Sequence, residues 1–285
     1  MKLRKLEELF FKILIRASVL LVIFPLLSII SIVLLKGGKV LISDPKILIT
    51  TPGPKYLLGG KGGFVHAILG SLYLVIPATL IASVIGLGIA VFLQPDYSTP
   101  KISELIRMIL DILWGIPSIV YGVFVLTILI FIQGKGCLFA GIPALTLLEL
   151  PIITRYIDEA LIAVPVELKN ATYSIGANKF ETLLMVSKYA LSGIVAGILI
   201  GMGRGIGDAA SIIFTSGTSN TIPKGLFDSV TALPIIIFQQ ASSCYPSVRE
   251  HAYAAAFILV VIVGILNLTS RFLTKHFSKY IPKGK

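Results

Sequence analysis

The chain has 285 residues, of which 55% are hydrophobic and only 14% are charged. This composition is too apolar for a soluble domain and is typical of a protein with several membrane-spanning helices. In a soluble protein the net charge of +11 would suggest a nucleic-acid partner. The basic residues form no stripe interleaved with aromatic residues, so nucleic-acid binding is not supported.

The first apolar segment, residues 17–35, follows a basic stretch, as in a secretory signal. It is nevertheless long enough to span a bilayer and lacks an evident small-residue cleavage site, so we expect it to be retained.

Six apolar segments are long enough to cross the hydrocarbon core, which takes about 20 helical residues. They are residues 17–35, 64–93, 108–132, 137–157, 189–215 and 252–270. More than half of the 25 basic residues then fall on the same side as both termini. Since lysine and arginine accumulate in cytoplasmic loops, both termini are expected to be cytoplasmic. A shorter apolar segment, residues 231–241, suits an interfacial or re-entrant element over the outer mouth.

The polar segment between the fourth and fifth predicted spans has the pattern of a short helix, a turn and a second helix. Pro165 and Glu167 are typical of a first helical turn. Apolar residues follow at helical spacing at Leu168, Ala171 and Ile175. Gly176 suits the left-handed residue that ends a helix, and Asn178 with Glu181 forms a capping box. The pattern fits either a surface that docks another protein or a plain connection between spans.

The fifth predicted span carries a glycine at every fourth position, at Gly193, Gly197, Gly201 and Gly205. Such a stripe lets a neighbouring helix approach closely inside a bilayer. Arg204 and Asp208 lie four residues apart beside the stripe. A charge at mid-bilayer costs roughly 2.5–3.5 kcal/mol on insertion scales, so a functional role is the default. Either the arginine contacts a charged solute, or the two residues form a structural ion pair.

Arg155 lies near the inner end of the fourth predicted span and is followed by Asp158 and Glu159. It either gives a second cationic contact to an anion or snorkels to the interface and pairs with Glu159. Glu149 lies deeper in the same span. Its pairing with Arg155 would require a bend at Pro151, so Glu149 is a weaker candidate.

Other motifs point away from catalysis by this chain. No G-x-x-x-x-G-K-[ST] motif is present, so ATP would be bound by a partner rather than by this chain. The G-x-G-x-x-A pattern at residues 205–210 follows no predicted strand, which argues against a dinucleotide site. None of the three histidines has metal-ligand spacing. We therefore expect no cofactor, no metal and no catalytic residue in this chain.

The two cysteines, Cys137 and Cys244, are expected to be unpaired. A disulfide between outer loops is the alternative.

Several of these segments resemble the inner-membrane permeases of ABC importers, and among them the phosphate permeases. The loop residues that match the family's E-A-A…G motif are Asn170, Ala171, Thr172, Gly176, Ala177 and Lys179. Residues 204–208 are similar to R-x-x-G-E, residues 115–122 to G-I-P-S-[IV]-V-[FY]-G, and residues 231–234 to the T-L-P segment. The resemblance covers roughly residues 64–272.

The resemblance implies an all-α polytopic membrane protein with six transmembrane helices and a type I ABC importer permease (MetI-like) core. That core would span residues 64–272, after an N-terminal helix and outer loop at 1–63 and before a basic cytoplasmic tail at 273–285. The implied partners are a second permease subunit, a dimeric ATPase and an extracytoplasmic binding protein, in the inner membrane.

The family's roles carry over to particular residues. A docking helix at about 165–176 would contact the ATPase through Glu167, Leu168, Asn170, Ala171, Ile175, Gly176, Ala177 and Lys179. The phosphate pathway would include Arg204, Asp208 and Arg155. Two positions depart from the family pattern, because Asn170 replaces the leading Glu of E-A-A and Asp208 replaces the Glu of R-x-x-G-E.

Other functions remain as alternatives. The chain fits a permease for another oxyanion, such as molybdate or sulfate, although the arginine in the fifth span and the G-I-P-S segment favour phosphate. A secondary anion transporter would work without an ATPase, and inverted repeats that would favour it are not visible. A membrane enzyme lacks a nucleophile–base pair or metal cluster.

Overall fold

The computed structural model describes residues 2–53, 56 and 62–278. The described residues form helices joined by turns, with one isolated bridge between Pro52 and Gly62 and no strand. The helices are α1 (Lys2–Ser43), α2 (Val65–Phe92), α3 (Pro100–Gly115), α4 (Ser118–Phe131), α5 (Leu138–Ile162), α6 (Val166–Ser174), α7 (Lys179–Ile206), α8 (Leu233–Ala241) and α9 (Pro246–Ser278). A 3₁₀ helix, Pro45–Leu48, follows α1. The predicted all-α class is confirmed.

Five of these helices, α1, α2, α5, α7 and α9, are long and apolar enough to cross a membrane. The third predicted span is wrong as a straight helix, because α3 and α4 meet at 94°. Ile116 between them is extended, with φ −70° and ψ 130°. Pro117 imposes this conformation, since its ring disfavours the helical region for the residue before it. Six spans result only if α3 and α4 count as one broken span.

Helix α5 forms the centre of the bundle and packs between α2 and α7. It runs parallel to α2, because Gly141 faces Leu74 near one end and Gly86 faces Thr154 near the other. Large apolar side chains of α5, including Ile153 and Ile157, are fully buried. The end of the bundle at which α5 is followed by α6 is called the α6 end below.

Helix α1 lies largely outside this bundle. The apolar window of its span is 0% buried, so the described residues bury none of the side chains there. Only its C-terminal part packs against α9, where an added methyl group on Gly37 would collide with the carbonyl of Tyr253. The 3₁₀ helix continues this contact through Ile47, which is buried with residues of α8 and α9.

The segment between α7 and α8 folds back over the end of the bundle opposite α6. Helix α7 ends at Ile206, before the predicted limit at residue 215, because Asp208 accepts a hydrogen bond from Ser211 N–H (2.8 Å) and starts a separate turn. Further along, Cys137 N–H donates to Thr215 O at 2.9 Å. The short apolar segment predicted at residues 231–241 is the helix α8, whose first turn is buried against α2 and α9.

Candidate functional site

Helix α6 is bounded by local signals on both sides. Pro165 is the residue before its first turn, with φ −56° and ψ 136°. Gly176 has φ +88°, a left-handed conformation that side chains rarely adopt. Asn178 Oδ1 then accepts from Glu181 N–H (3.0 Å), and Glu181 Oε2 accepts from Asn178 N–H (2.8 Å). The predicted helix, glycine turn and capping box are therefore all present.

The residues predicted to dock a partner do not all face outwards. Those exposed on α6 and the turn after it are Glu167, Asn170, Ala171, Ile175 and Gly176, with Ile175 84% exposed. Leu168 is half-buried and packs against the core formed by α5 and α7. The three residues predicted to share an apolar face thus differ in exposure, because Leu168 anchors α6 while Ala171 and Ile175 are exposed.

The corner between α6 and α7 is tied to the loop that follows α2. Lys179 Nζ donates to Asp96 O at 2.9 Å, and Tyr97 Oη donates to Lys179 O at 3.1 Å. Lys179 therefore fixes the corner in place, although it is exposed. Ala177, between Gly176 and the capping box, is half-buried. These contacts therefore fix the position of the exposed part of α6 relative to α2 and α7.

The four glycines of α7 face α5 along one line. Their neighbours, in order, are Ala160 for Gly193, Tyr156 for Gly197, Ile153 for Gly201 and Glu149 for Gly205. At each position an added methyl group would collide with the facing side chain. The two helices run antiparallel, and the bare glycine stripe is what allows their backbones to approach.

Glu149 is the most deeply buried carboxyl group at this contact. Its exposure is 0%, and its Oε2 accepts a hydrogen bond from Thr79 Oγ1 at 2.7 Å. Its other oxygen, Oε1, lies over Gly205 and has no hydrogen-bond partner among the described residues. Glu149 does not pair with Arg155. The sequence had already made this pairing doubtful.

Arg204 occupies the last turn of α7 and is exposed. Within the described part of the chain it forms no ion pair with a carboxylate. Asp208, the predicted partner, caps the following turn instead, because α7 ends before the i, i+4 geometry is reached. Gly203 beside it faces open space. The guanidinium is therefore available to an anion from outside this chain.

Arg155 is engaged by three acidic residues rather than one. Its guanidinium lies 2.9 Å from Asp111 Oδ1, 3.6 Å from Asp158 Oδ2 and 3.8 Å from Glu159 Oε1. Because it is six residues from Glu149 on the same helix, it lies roughly 9 Å nearer the α6 end than the Glu149–Gly205 contact. Its positive charge is largely neutralised at this position.

The second arginine at this end, Arg107, was not among the predicted site residues. Its Nε and Nη2 donate to Asp158 at 2.7 and 3.1 Å, and Gln94 Nε2 donates to the same carboxylate at 3.2 Å. Asp158 is 0% exposed. Arg107 Nη2 also lies 3.3 Å from Leu93 O. These contacts join α3 and the end of α2 to α5 beside α6.

Residues 82–281 match the family model for the binding-protein-dependent transport system inner membrane component. The chain belongs to this family. As a member, it is a multi-pass membrane protein and a component of a transport system.

The sequences of several relatives align with most of this chain. It is 30% identical to the phosphate transport system permease protein PstA of Pasteurella multocida over 97% of each chain. Its identity to PstA of Haemophilus influenzae is also 30%, over 80% of this chain and 79% of the relative. A probable PstA of Methanocaldococcus jannaschii is 30% identical over 96% of this chain and 95% of that protein.

A solved structure shows the same fold. The inward-facing MetNI methionine ABC transporter contains a chain that aligns with a TM-score of 0.61 at 21% identity. The alignment covers 75% of the family member described here and 95% of that chain. The predicted MetI-like permease core is confirmed.

Proposed function

We propose that this chain is a permease subunit of an ATP-driven phosphate importer. Relatives that carry the name phosphate transport system permease protein PstA match it over most of its length. The permease fold of the methionine transporter supports the same class of function. The substrate and the coupling to ATP are the parts of this proposal that require experiment.

One helix carries the proposal. Helix α7 begins at the capping box that follows the exposed α6. Its last turn carries Arg204, an arginine without a carboxylate partner in the described chain. An ATPase that binds the exposed face of α6 therefore contacts an element joined through a single helix to a cationic site. No other helix in the described residues connects the α6 turn to such a group.

The proposed mechanism is alternating access. Movement of the ATPase displaces α6, and α7 follows because Asn178, Glu181 and the Lys179–Asp96 contact fix the corner. The glycine contact keeps α7 against α5 during this displacement. The pathway then opens alternately to the two sides of the membrane.

Arg204 is the residue expected to contact phosphate. A guanidinium donates charge-assisted hydrogen bonds to phosphate oxygens in a fixed planar geometry. Because no carboxylate of the described residues pairs with the Arg204 guanidinium, those donors remain available. Arg155 was predicted to line the same pathway, but its three acidic neighbours make it a weaker anion contact than Arg204. Asp208 acts by shaping the turn after α7.

The remaining components follow from the same proposal. A second permease subunit completes the pathway, a dimeric ATPase binds α6 and hydrolyses ATP, and an extracytoplasmic protein delivers phosphate. This chain then needs no cofactor of its own. The positive-inside distribution of lysine and arginine supports a cytoplasmic position for the α6 end and both termini. Residues 64–272 form the core of the permease in this arrangement.

Uptake of labelled phosphate tests the proposal. Cells that lack their own phosphate importers would express this chain with its partner permease, ATPase and binding protein. We expect uptake that requires the ATPase, resists excess molybdate and sulfate, and falls at least about tenfold in Arg204→Gln. Arg271→Gln is the matched control, because Arg271 is exposed on a helix but lies outside the proposed pathway.

The outcomes separate the alternatives. Inhibition by molybdate or sulfate would assign the chain to that oxyanion, and uptake without an ATPase would assign it to secondary transport. Equal uptake by Arg204→Gln and Arg271→Gln would remove Arg204 from the pathway. Arg204→Lys keeps the charge but loses the planar donor pair, so we expect it to retain part of the activity.

A further inference from the structure

A cavity of about 710 Å³ lies at the end of the bundle opposite α6. It is lined by the C-terminal part of α1, the 3₁₀ helix and the first turns of α9, and neither α7 nor Arg204 contributes to its lining. The charged and titratable residues that line it are Lys36, Lys39, Asp44, Arg249, Glu250, His251 and Tyr253. Three basic side chains thus share one cavity with two carboxylates.

The cations in this cavity form no close ion pair with the acids beside them among the described residues. Among the described residues, none of the five charged side chains forms an ion pair within 4.0 Å. Lys36 Nζ lies 4.9 Å from the ring centre of Tyr253, and Asp44 Oδ1 accepts from Lys46 N–H at 3.2 Å. Within the part of the chain that is described, the side chains of Lys39 and Arg249 have neither an aromatic ring contact nor a hydrogen bond.

A histidine also lines this cavity. His251 is held between two aromatic rings, stacked on Tyr56 at 5.8 Å and edge-on to Phe64 at 6.1 Å. Its Nδ1 is buried and has no hydrogen-bond partner among the described residues. Because protein covers this atom, His251 supplies a fixed wall of the cavity, and the contacts to an anion come from the basic side chains.

The position of the cavity limits the ligand. Lys36 and Lys39 follow the apolar span of α1, in which the described residues bury none of the side chains of the apolar window. Basic residues directly after a spanning segment lie at the depth of the lipid phosphates. An anion that reaches this cavity therefore comes either from the headgroup layer or from the solution next to it.

We propose that this cavity binds a phosphoryl anion, either the headgroup phosphate of an acidic phospholipid or inorganic phosphate. Lys39 and Arg249 are its principal donors, and Lys36 adds charge from its position over Tyr253. Asp44 and Glu250 accept hydrogen bonds from hydroxyl groups, which a glycerol headgroup or a protonated phosphate both carry. The site is separate from the pathway proposed at Arg204 and does not depend on the transported substrate.

Binding to the purified full-length chain in a maltoside detergent tests this proposal. Native mass spectrometry would count retained phosphatidylglycerol, with phosphatidylcholine as the zwitterionic comparison, and calorimetry would measure inorganic phosphate. The test variant is Lys39→Gln with Arg249→Gln. The matched control is Lys135→Gln with Lys224→Gln, which removes the same charge from exposed residues that do not line the cavity.

We expect the test variant to bind the anion on the order of tenfold more weakly, while the control and Arg204→Gln bind it like the unmodified chain. Loss confined to phosphatidylglycerol identifies a lipid site, and loss confined to inorganic phosphate identifies a solute site. Equal binding by test and control variants overturns the proposal, as does loss in Arg204→Gln alone. If the double variant fails to fold, Arg249→Gln alone against Lys224→Gln gives the same comparison.

Discussion

Glu149 and Gly205 face each other across the contact between α5 and α7, and the carboxyl group fills the volume that any side chain at residue 205 would need. Glycine is therefore required at this position because of a buried acid on the neighbouring helix. The acid is held in turn by Thr79 of α2. Three helices thus meet at one polar contact close to Arg204.

The first prediction concerns Gly205→Ala. The added methyl group collides with Glu149, so α5 and α7 must separate or the carboxyl group must move. We expect a loss of stability of about 1–3 kcal/mol, as for overpacked cores, and reduced uptake. The thermal unfolding midpoint of the purified protein measures the first effect.

Gly203→Ala provides the control for this prediction. Gly203 lies on the same helix two residues away and faces open space, so its substitution should change stability by no more than about 0.5 kcal/mol. Combining Gly205→Ala with Glu149→Ala should recover part of the lost stability. No recovery would show that the collision with Glu149 is not the cause.

The second prediction concerns the buried carboxylate of Asp158. Arg107→Met removes its closest partner and leaves a charge that only Gln94 and the more distant Arg155 contact. Since a buried charge is costly without its partner, we expect a loss on the order of 2 kcal/mol, reduced because Arg107 is partly exposed. The unfolding midpoint again reports the change.

A second substitution distinguishes an electrostatic effect from lost packing. Arg107→Met combined with Asp158→Leu removes both charges and should be more stable than Arg107→Met alone. If the double variant is the less stable of the two, the packing of the arginine stem rather than the unpaired carboxylate explains the loss.

The third prediction concerns the exposed end of α6. Ile175→Asp places a charge on the surface proposed to bind the ATPase, and we expect about tenfold less ATPase to co-purify, since a few central residues dominate such interfaces. Ile42→Asp is the control, because Ile42 and Ile175 are both 84% exposed. Equal co-purification with the two variants would place the ATPase contact elsewhere.

The fourth prediction concerns pH. Burial raises the pKa of Tyr56 to about 12. Below pH 10 the folded and unfolded chains both hold the phenol proton, so the contribution to stability is complete. Between pH 10 and 12 only the unfolded chain ionises, and stability falls as pH rises, by up to about 2 kcal/mol.

Tyr56→Phe isolates this effect from the titration of lysines. We expect the difference in unfolding midpoint between the unmodified chain and Tyr56→Phe to be constant from pH 8 to about 9.5 and to decline above it. A difference that stays constant to pH 11.5 would show that the Tyr56 phenol ionises equally in both states.

Local signals account for the parts of the structure that the sequence predicted well. Gly176 and the capping box of Asn178 and Glu181 each depend on residues within four positions of one another, so their pattern is readable directly. The same holds for the glycine stripe, whose spacing predicted a close helix contact. It did not identify α5 as the neighbouring helix.

Long-range contacts account for most of what was missed. Arg107 and Asp158 are 51 residues apart, and the sequence around either residue does not indicate the other as its partner. The Arg204–Asp208 ion pair, an alternative suggested by the i, i+4 spacing, is not formed for a different reason. That spacing brings two side chains together only while the helix continues, and α7 stops at Ile206. The bend at Ile116 was marked by Pro117, but hydropathy alone extended the span through it.

The length of α7 has a mechanical consequence. The helix has 28 residues and no internal proline, so it is about 42 Å long and stiff. A tilt of about 5° pivoted at its Lys179 end displaces its other end by roughly 4 Å. That distance exceeds the length of a hydrogen bond. A slight rotation of α7 at one membrane surface therefore suffices to make or break contact between Arg204 and an ion near the other membrane surface.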